Sequence, residues 1–188
     1  MRVLGISGSL RRDSSNTRLL RAAAEEAPHD VELVLWDGLR EIPPYDQDDD
    51  TVPGPAAVEA LRQAVRDADA VLIAAPEYNF SVPGVLKNAL DWASRPLATN
   101  VFRNKPVAVV GASSGMFGAV WSQAEVRKVV GQAMGAIVAD VEVAVGRAFE
   151  KFDEDGRLVD DDTRQQLRDA LSTLVATTRA AEPESVAA

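Results

Sequence analysis

The sequence predicts an α/β protein in which a doubly wound, five-stranded parallel sheet carries helices on both faces. Short apolar segments of strand length alternate with longer segments whose apolar residues recur at helical spacing. The segment AVLIAA at 70–75 is apolar throughout, which is typical of a strand that is covered on both faces. Loops rich in glycine and serine follow several strands, and ligands of such sheets bind outside the carboxyl ends of the strands.

The elements are expected to alternate along the whole chain. Strands are predicted at 2–6, 31–37, 70–75, 105–113 and 136–145. Helices are predicted at 15–27, 55–68, 83–94, 120–134 and 162–179. Pro55 suits the first turn of the second helix, and Asp162 with Gln165 resembles a capping box for the last one. The segment 41–54 is predicted to be a loop because proline, glycine and aspartate are frequent in it.

The length and composition favour one folded domain. A chain of 188 residues, 46% of them hydrophobic, can bury a single core. The domain is predicted to span residues 1–180, and residues 181–188 are expected to form a disordered tail.

Charge and residue types exclude several classes of function. The formal net charge of −9 argues against nonspecific binding to nucleic acids or anionic membranes. The absence of cysteine excludes disulfides, thiol nucleophiles and sites in which cysteine binds zinc or iron–sulfur clusters. No metal site is predicted, because the acidic segment DEDG at 153–156 lacks the ligand pattern of a calcium loop and suits a polar hairpin.

The sequence also leads us to expect a cytoplasmic protein. No apolar run reaches the roughly 18 residues that a membrane span needs. The first strand is predicted to begin at residue 2, which leaves no room for a signal peptide before it.

The loop after the first strand has the composition of an anion site. The segment ISGSLRRDSSNTRLL at 6–20 combines small residues and hydroxyl groups with Arg11, directly before a helix. Free N–H groups at a helix start bind phosphate well. The pattern is neither the dinucleotide fingerprint nor a P-loop. A serine-rich capping loop without a ligand remains an alternative.

The loop after the third strand is polar and stiff. Pro76 and Pro83 flank the segment EYNFSV and restrict its backbone. We expect the N–H groups of Tyr78 and Asn79 to donate to a planar ring that is rich in acceptors. The alternative is a turn whose aromatic side chains cover the sheet edge.

The loop after the fourth strand, within the segment GASSGMFGAVWSQAEVRKVV at 111–130, again combines glycines with serines before a helix. Its glycines permit a close approach of the backbone to a ligand. Three such loops at one sheet edge could hold one phosphate and one flat ring system. Together they predict a mononucleotide cofactor, which FMN fits best.

These motifs resemble those of the flavodoxin-like NADPH-dependent FMN reductase family. GSLRRDSSN at 8–16 resembles the phosphate motif of that family, and PEYNFSVPGVLKNALDW at 76–92 is similar to its middle block nearly residue for residue. GASSGMFGAVWSQAEVR at 111–127 resembles its third block. The resemblance covers roughly residues 2–179, and the family includes quinone, chromate and azo-dye reductases.

The resemblance implies where the cofactor binds. It implies FMN phosphate at Ser9, Arg11, Ser15, Asn16 and Thr17. It implies the flavin ring and ribityl chain along Pro76, Glu77, Tyr78 and Asn79, and beside Ser113, Ser114, Gly115 and Gly118. It further implies a homodimer or a dimer of dimers, with the flavin near the subunit interface.

The expected activity is transfer of hydride from NADPH or NADH to the flavin and of electrons onward to a quinone, azo, chromate or free flavin acceptor. No catalytic side chain is predicted, since the cofactor carries the redox chemistry. Glu77 as a proton donor is an alternative. A flavodoxin-type electron carrier that is reduced by a protein partner, and a nucleotide-sensing or structural protein without redox activity, are the rival hypotheses.

Overall fold

A single parallel sheet organises the chain in the computed structural model, which describes residues 1–181. The strands are β1 (Arg2–Ser7), β2 (Glu32–Trp36), β3 (Ala70–Ala74), β4 (Pro106–Ala112), β5 (Ile137–Val138) and β6 (Ala144–Val145). The helices are α1 (Ser15–Glu25), α2 (Ala56–Arg66), α3 (Gly84–Ala93), α4 (Val120–Lys128) and α5 (Asp161–Ala181). The α/β class that the alternating pattern predicted is thereby confirmed.

The strand order is β2-β1-β3-β4-β5, β6 also pairs with β4, and the pairings between these strands are parallel. The chain winds outward from β1 to β2, then crosses back to β3 and continues in the other direction. The order therefore reverses between β1 and β3, which is the topological switch point of a flavodoxin-like sheet. The carboxyl ends of β1, β3 and β4 meet at one edge there.

The two faces of the sheet bury separate apolar cores. Along β3, Leu72 packs on the face covered by α1 and α5, whereas Val71 and Ile73 pack on the face covered by α2, α3 and α4. All five residues of β3 are buried, as the continuous apolar run predicted. None of the helices within residues 1–181 is both long and apolar enough to cross a membrane.

The element boundaries agree with the sequence prediction to within about two residues, except near the carboxyl end of the chain and at α4, which ends at Lys128 and continues as a π-helical turn over Val129–Ala133. The cap of α5 is Asp160 rather than Asp162, because Asp160 Oδ2 accepts the Thr163 N–H at 2.9 Å. Hydrogen bonds from Lys151 and Thr163 hold the pKa of Asp160 at about 2. The polar hairpin is confirmed by the antiparallel bridge between Phe152 and Leu158. The predicted tail lies outside the described residues, apart from Ala181, which ends α5.

The predicted fifth strand at 136–145 is divided into β5 and β6, which both pair with β4. Val107 is paired with Val138, and Gly111 is paired with Ala144. Between these two pairs β4 has three residues and its neighbour has five, so the neighbour carries two extra residues. These extra residues bulge out of the ladder and separate the two short strands.

A side chain from α4 fills the gap that this bulge leaves. The Val141 N–H turns to Ala139 O at 3.0 Å instead of donating to β4. Arg127 Nη2 donates to Val109 O at 3.0 Å and to Val141 O at 2.9 Å. The guanidinium thus supplies donors where the interrupted strand does not.

We predict that Arg127→Ala lowers the free energy of unfolding by about 2–3 kcal/mol, because it leaves two carbonyl groups without their charged donor. Arg127→Lys should cost less, since the ammonium group retains donors in a more compact arrangement. Arg66→Ala is the matched control, because the ion pair of Arg66 with Glu59 is exposed and long at 3.8 Å. Urea unfolding of the three variants measures the difference. Equal stabilities of Arg127→Ala and Arg66→Ala would contradict this role.

Candidate functional site

A cleft opens at the carboxyl edge of the sheet between the first loop (residues 8–14), the second loop (residues 75–83) and the third loop (residues 113–119). The lining residues come from all three loops, from the start of α1, from the end of β4 and from the segment that follows β6. The lining residues are Ser9, Arg11, Ser14, Ser15, Asn16, Pro76, Glu77, Tyr78, Ala112, Ser113, Ser114 and Phe149. Nine of the thirteen residues that the sequence assigned to a cofactor site are in this lining, whereas Thr17, Asn79, Gly115 and Gly118 are not.

The first turn of α1 presents main-chain donors to the cleft. Ser14 is the N-cap, because its Oγ accepts the Thr17 N–H at 3.3 Å and its carbonyl accepts the Arg18 N–H at 2.9 Å. The N–H groups of Ser15 and Asn16 lie at the first two helical positions, where no intrahelical acceptor exists. The positive end of the helix dipole adds to their attraction for an anion.

The first loop adds hydroxyl groups and a positive charge. Ser9 and Ser15 line the cleft together with the exposed Arg11. Arg40 holds this loop in place, since its Nη2 donates to Leu10 O at 2.9 Å. Arg12 is also exposed but is not part of the lining.

Asn16 serves as a clamp rather than as a side-chain ligand. Its Nδ2 donates to Ala112 O at 2.8 Å, and its Oδ1 accepts the Ala112 N–H at 3.0 Å. The residue is 3% exposed, so its amide is committed to joining α1 to the end of β4. The Thr17 hydroxyl similarly bonds to Ser7 Oγ at 2.8 Å. The Asn16 N–H is left for the cleft and the Thr17 hydroxyl is engaged with β1, so the contact of both residues with a phosphate stays a prediction.

The second loop is a two-residue β-hairpin. Tyr78 N–H donates to Ser81 O at 3.2 Å, and Ser81 N–H donates to Tyr78 O at 3.1 Å. Asn79 and Phe80 have φ values of 53° and 60°, as in a type I′ turn. The expectation that Tyr78 N–H is available for a ligand is therefore wrong, because the hairpin uses it. Asn79 lies at the tip of the turn, outside the cleft lining.

The third loop is fixed from behind by the segment that follows β6. Ser113 O accepts the Ala148 N–H at 2.9 Å, and Gly115 O accepts the Arg147 N–H at 2.8 Å. Gly118 has a φ of 61°, and a Cβ there would lie 2.2 Å from the carbonyl carbon of Ala144. A side chain at 118 is thus excluded by the backbone of β6, so Gly118 supports the loop instead of lining the cleft.

Phe149 is the residue of the cleft lining that lies outside all the segments in which the sequence predicted the site. It is 67% exposed although it lines the cleft. The signal was its position shortly after the last strand of the sheet, because loops that follow parallel strands share one edge. None of the three loops rich in glycine, serine or asparagine contains it.

Three titratable side chains line the cleft, namely Arg11, Glu77 and Tyr78. Hydroxyl groups and main-chain donors supply the rest of its polarity. The arrangement suits binding of an anion at α1 and of a flat group between the second and third loops. It offers no pair of carboxylates or carboxylate–histidine pair for acid–base catalysis, and His29 lies exposed in the segment before β2.

An exposed aromatic cluster, formed by Phe80, Phe117 and Trp121, lies beside the cleft. Phe80 and Phe117 each meet Trp121 edge to face, with centroids 5.1 and 5.2 Å apart. An apolar groove between α3 and α4 begins one helical turn beyond Trp121. The groove is lined by Val82, Lys87, Glu125, Lys128, Val129, Gln132 and Ala133.

Comparison with known proteins agrees with this geometry. The family model described as NADPH-dependent FMN reductase matches residues 1–150. An NAD(P)H-dependent FMN reductase of Pseudomonas aeruginosa is 42% identical over 180 residues, covering 93% of this chain and 93% of the relative. A 2-hydroxy-1,4-benzoquinone reductase of a Burkholderia species is 39% identical over 168 residues, covering 89% of this chain and 91% of the relative.

A solved structure has the same fold. FerB of Paracoccus denitrificans, a flavoenzyme NAD(P)H:(acceptor) oxidoreductase, superposes with a TM-score of 0.85 at 32% sequence identity. The match covers 95% of this chain and 97% of FerB. The family match and these relatives extend over the sheet and all three loops of the cleft, so the chain belongs to the NADPH-dependent FMN reductase family.

Proposed function

We propose that this chain is an NAD(P)H-dependent, FMN-containing oxidoreductase that reduces small acceptors such as quinones, azo compounds, chromate or free flavin. The observation that carries the proposal is the pairing, in one cleft, of an anion site at α1 with a flat slot between two fixed loops. The names of the relatives, which include an FMN reductase and a benzoquinone reductase, favour an enzyme over an electron carrier.

The residues at α1 suit the phosphate of FMN. The N–H groups of Ser15 and Asn16, the hydroxyls of Ser9 and Ser15, and the guanidinium of Arg11 are donors around one end of the cleft. Phosphate oxygens accept hydrogen bonds from all of these groups. The first loop passes directly into α1, which leaves no evident site there for an adenylate half, so we propose FMN rather than FAD.

The other two loops suit the ring. Pro76, Glu77 and Tyr78 line one side of the slot, and Ser113 and Ser114 line the other. The hairpin and the bonds behind the third loop fix these main chains before a ligand arrives. Preformed donors of this kind stabilise developing charge without reorganisation.

The chemistry that bound FMN would supply is hydride transfer from the nicotinamide and electron transfer to the acceptor. The chain itself would hold the phosphate and orient the ring. Neither step needs a proton from a histidine or cysteine. We also propose that the protein works in the cytoplasm, as the sequence leads us to expect.

We further propose a homodimer or a dimer of dimers, as the resemblance implies. The aromatic cluster and the apolar groove beside it form a continuous exposed surface on the face of α4. Trp121 is 41% exposed and Phe80 is 70% exposed, and aromatic residues are enriched in subunit interfaces. This surface lies next to the cleft, so a second subunit there would border the flavin.

We predict that the purified protein, loaded with FMN, oxidises NADPH or NADH continuously when a benzoquinone is the acceptor and no second protein is present. An enzyme turns over under these conditions, whereas an electron carrier is not reduced without its protein partner. The absorbance of NAD(P)H at 340 nm follows the reaction. Reduction of the flavin by dithionite but not by NADPH or NADH would favour the carrier instead.

We predict that Arg11→Ala weakens FMN binding by about 1.5–3 kcal/mol, the range for hydrogen bonds to charged groups. Arg12→Ala is the matched control, because Arg12 is the exposed neighbour of Arg11 outside the cleft. Titration of the apoprotein with FMN, followed by quenching of flavin fluorescence, gives both affinities. Equal affinities in the two variants would place Arg11 in solvent.

We predict that Trp121→Ser raises the dissociation constant of the homodimer at least tenfold, since interfacial tryptophans often contribute about 2 kcal/mol or more. Val159→Ser is the control: Val159 is 56% exposed and lies beside the hairpin, away from α4. Sedimentation velocity over a range of concentrations measures association. A wild-type chain that stays at 20.1 kDa at every concentration would contradict the dimer.

A further inference from the structure

Two carboxylates join the second loop to α4 in opposite directions. Glu77, in the second loop, accepts the N–H of Trp121 at 3.0 Å and the N–H of Ser122 at 3.2 Å through the same Oε2. Glu125, on α4, accepts the Ser81 hydroxyl at 2.7 Å and the Val82 N–H at 3.0 Å. Each element therefore supplies the acceptor for donors of the other.

The start of α4 needs such an acceptor from outside. Its N-cap is Ala119, which has a φ of 65° and no side chain that can cap. The N–H groups of Trp121 and Ser122 lie in the first turn and have no intrahelical partner. The carboxylate of Glu77 caps these N–H groups as the Ser14 hydroxyl caps α1.

The same junction is reinforced by a buried contact. The Ser122 hydroxyl donates to Pro76 O at 2.8 Å, and Ser122 is fully buried. The Nε2 of Gln123, which is 1% exposed, donates to Gly118 O at 2.9 Å. The start of α4 thus contacts both loops that border the ring slot.

We propose that Glu77 is a positioning residue that sets the width of the ring slot by capping α4, and that Glu125 is its reciprocal partner. The proposal rests on the proposed function of the cleft. Glu77, the acid of the second loop, thereby has a positioning role in place of proton transfer. Its Oε2 accepts two N–H groups, so the junction uses Glu77 as an acceptor.

Replacement by an isosteric amide separates the two roles of Glu77. Glu77→Gln keeps the length and one acceptor oxygen, whereas Glu77→Ala removes the cap. We expect FMN binding about tenfold weaker in Glu77→Ala, because the free loops must then be ordered by the ligand. We expect a loss of less than about threefold in Glu77→Gln, because an acceptor remains. Glu154→Ala, in the exposed hairpin, is the control.

The rate of flavin reduction, measured at saturating FMN, distinguishes a proton donor from a positioning residue. A donor lost in Glu77→Gln would lower this rate by about 10²–10⁴-fold while leaving FMN affinity unchanged. A positioning residue instead alters affinity most in Glu77→Ala and leaves Glu77→Gln within about tenfold in rate. Glu125→Ala should shift affinity in the same direction as Glu77→Ala, and Glu125→Gln should largely restore it.

Hydrogen–deuterium exchange of the apoprotein tests the junction without any cofactor. Glu77→Ala should accelerate exchange in peptides that cover 119–124 and 76–82, whereas Glu154→Ala should not. Should Glu77→Ala fail to fold, Glu77→Asp, whose carboxylate is one methylene shorter, should show the same acceleration to a smaller extent. If exchange is faster in Glu77→Ala but the wild-type protein does not bind FMN, the proposed function is refuted and the hydrogen-bonded junction between the second loop and α4 is supported. Unchanged exchange and affinity in Glu77→Ala, or the proton-donor signature in Glu77→Gln, would overturn the proposal.

Discussion

The cleft depends on the pair of hydrogen bonds between the Asn16 amide and the main chain of Ala112. These bonds fix the first turn of α1 against the end of β4, two elements that no backbone–backbone hydrogen bond joins. A buried amide that satisfies both its donor and its acceptor in this way is costly to disturb, because either group would otherwise be left unpaired. The free N–H groups of Ser15 and Asn16 therefore keep a constant position relative to Ser113.

The other borders of the cleft are fixed by the same principle, with polar groups on one element meeting main-chain groups on another. The hairpin bonds close the second loop, the Arg147 and Ala148 amides support the third, and α4 joins both. Arg127 extends this network, since its Nη2 also donates to Gln123 Oε1 at 3.0 Å, and Gln123 in turn reaches Gly118. The bulge between β5 and β6 is thus linked to the ring slot through two side chains.

Much of this fold was predictable from the sequence because its signals are local. Continuous apolar runs identified the buried strands, and Pro55 and Pro83 marked helix starts to within a residue. The loops of the cleft were predictable because parallel strands bring their carboxyl ends together. The resemblance to a known family supplied the specific residues.

What escaped prediction depends on pairs of residues far apart in the chain. The resemblance assigned Asn16 and Thr17 to the phosphate site, but their hydrogen bonds to Ala112 and Ser7 are visible in the fold alone. The division of the fifth strand leaves no mark in its apolar alternation, since Ala139, Val141 and Val143 remain buried through the bulge. The cap that Glu77 provides joins residues 44 and 45 positions apart, which no local motif encodes.

A crystal structure of the purified protein with its flavin tests the account most directly. The account predicts FMN with its phosphate within hydrogen-bond distance of the N–H groups of Ser15 and Asn16, and with its ring between the second and third loops. The Asn16–Ala112 and Glu77–α4 hydrogen bonds should persist in that complex. A phosphate bound elsewhere, or an adenine-containing flavin in the cleft, would contradict it.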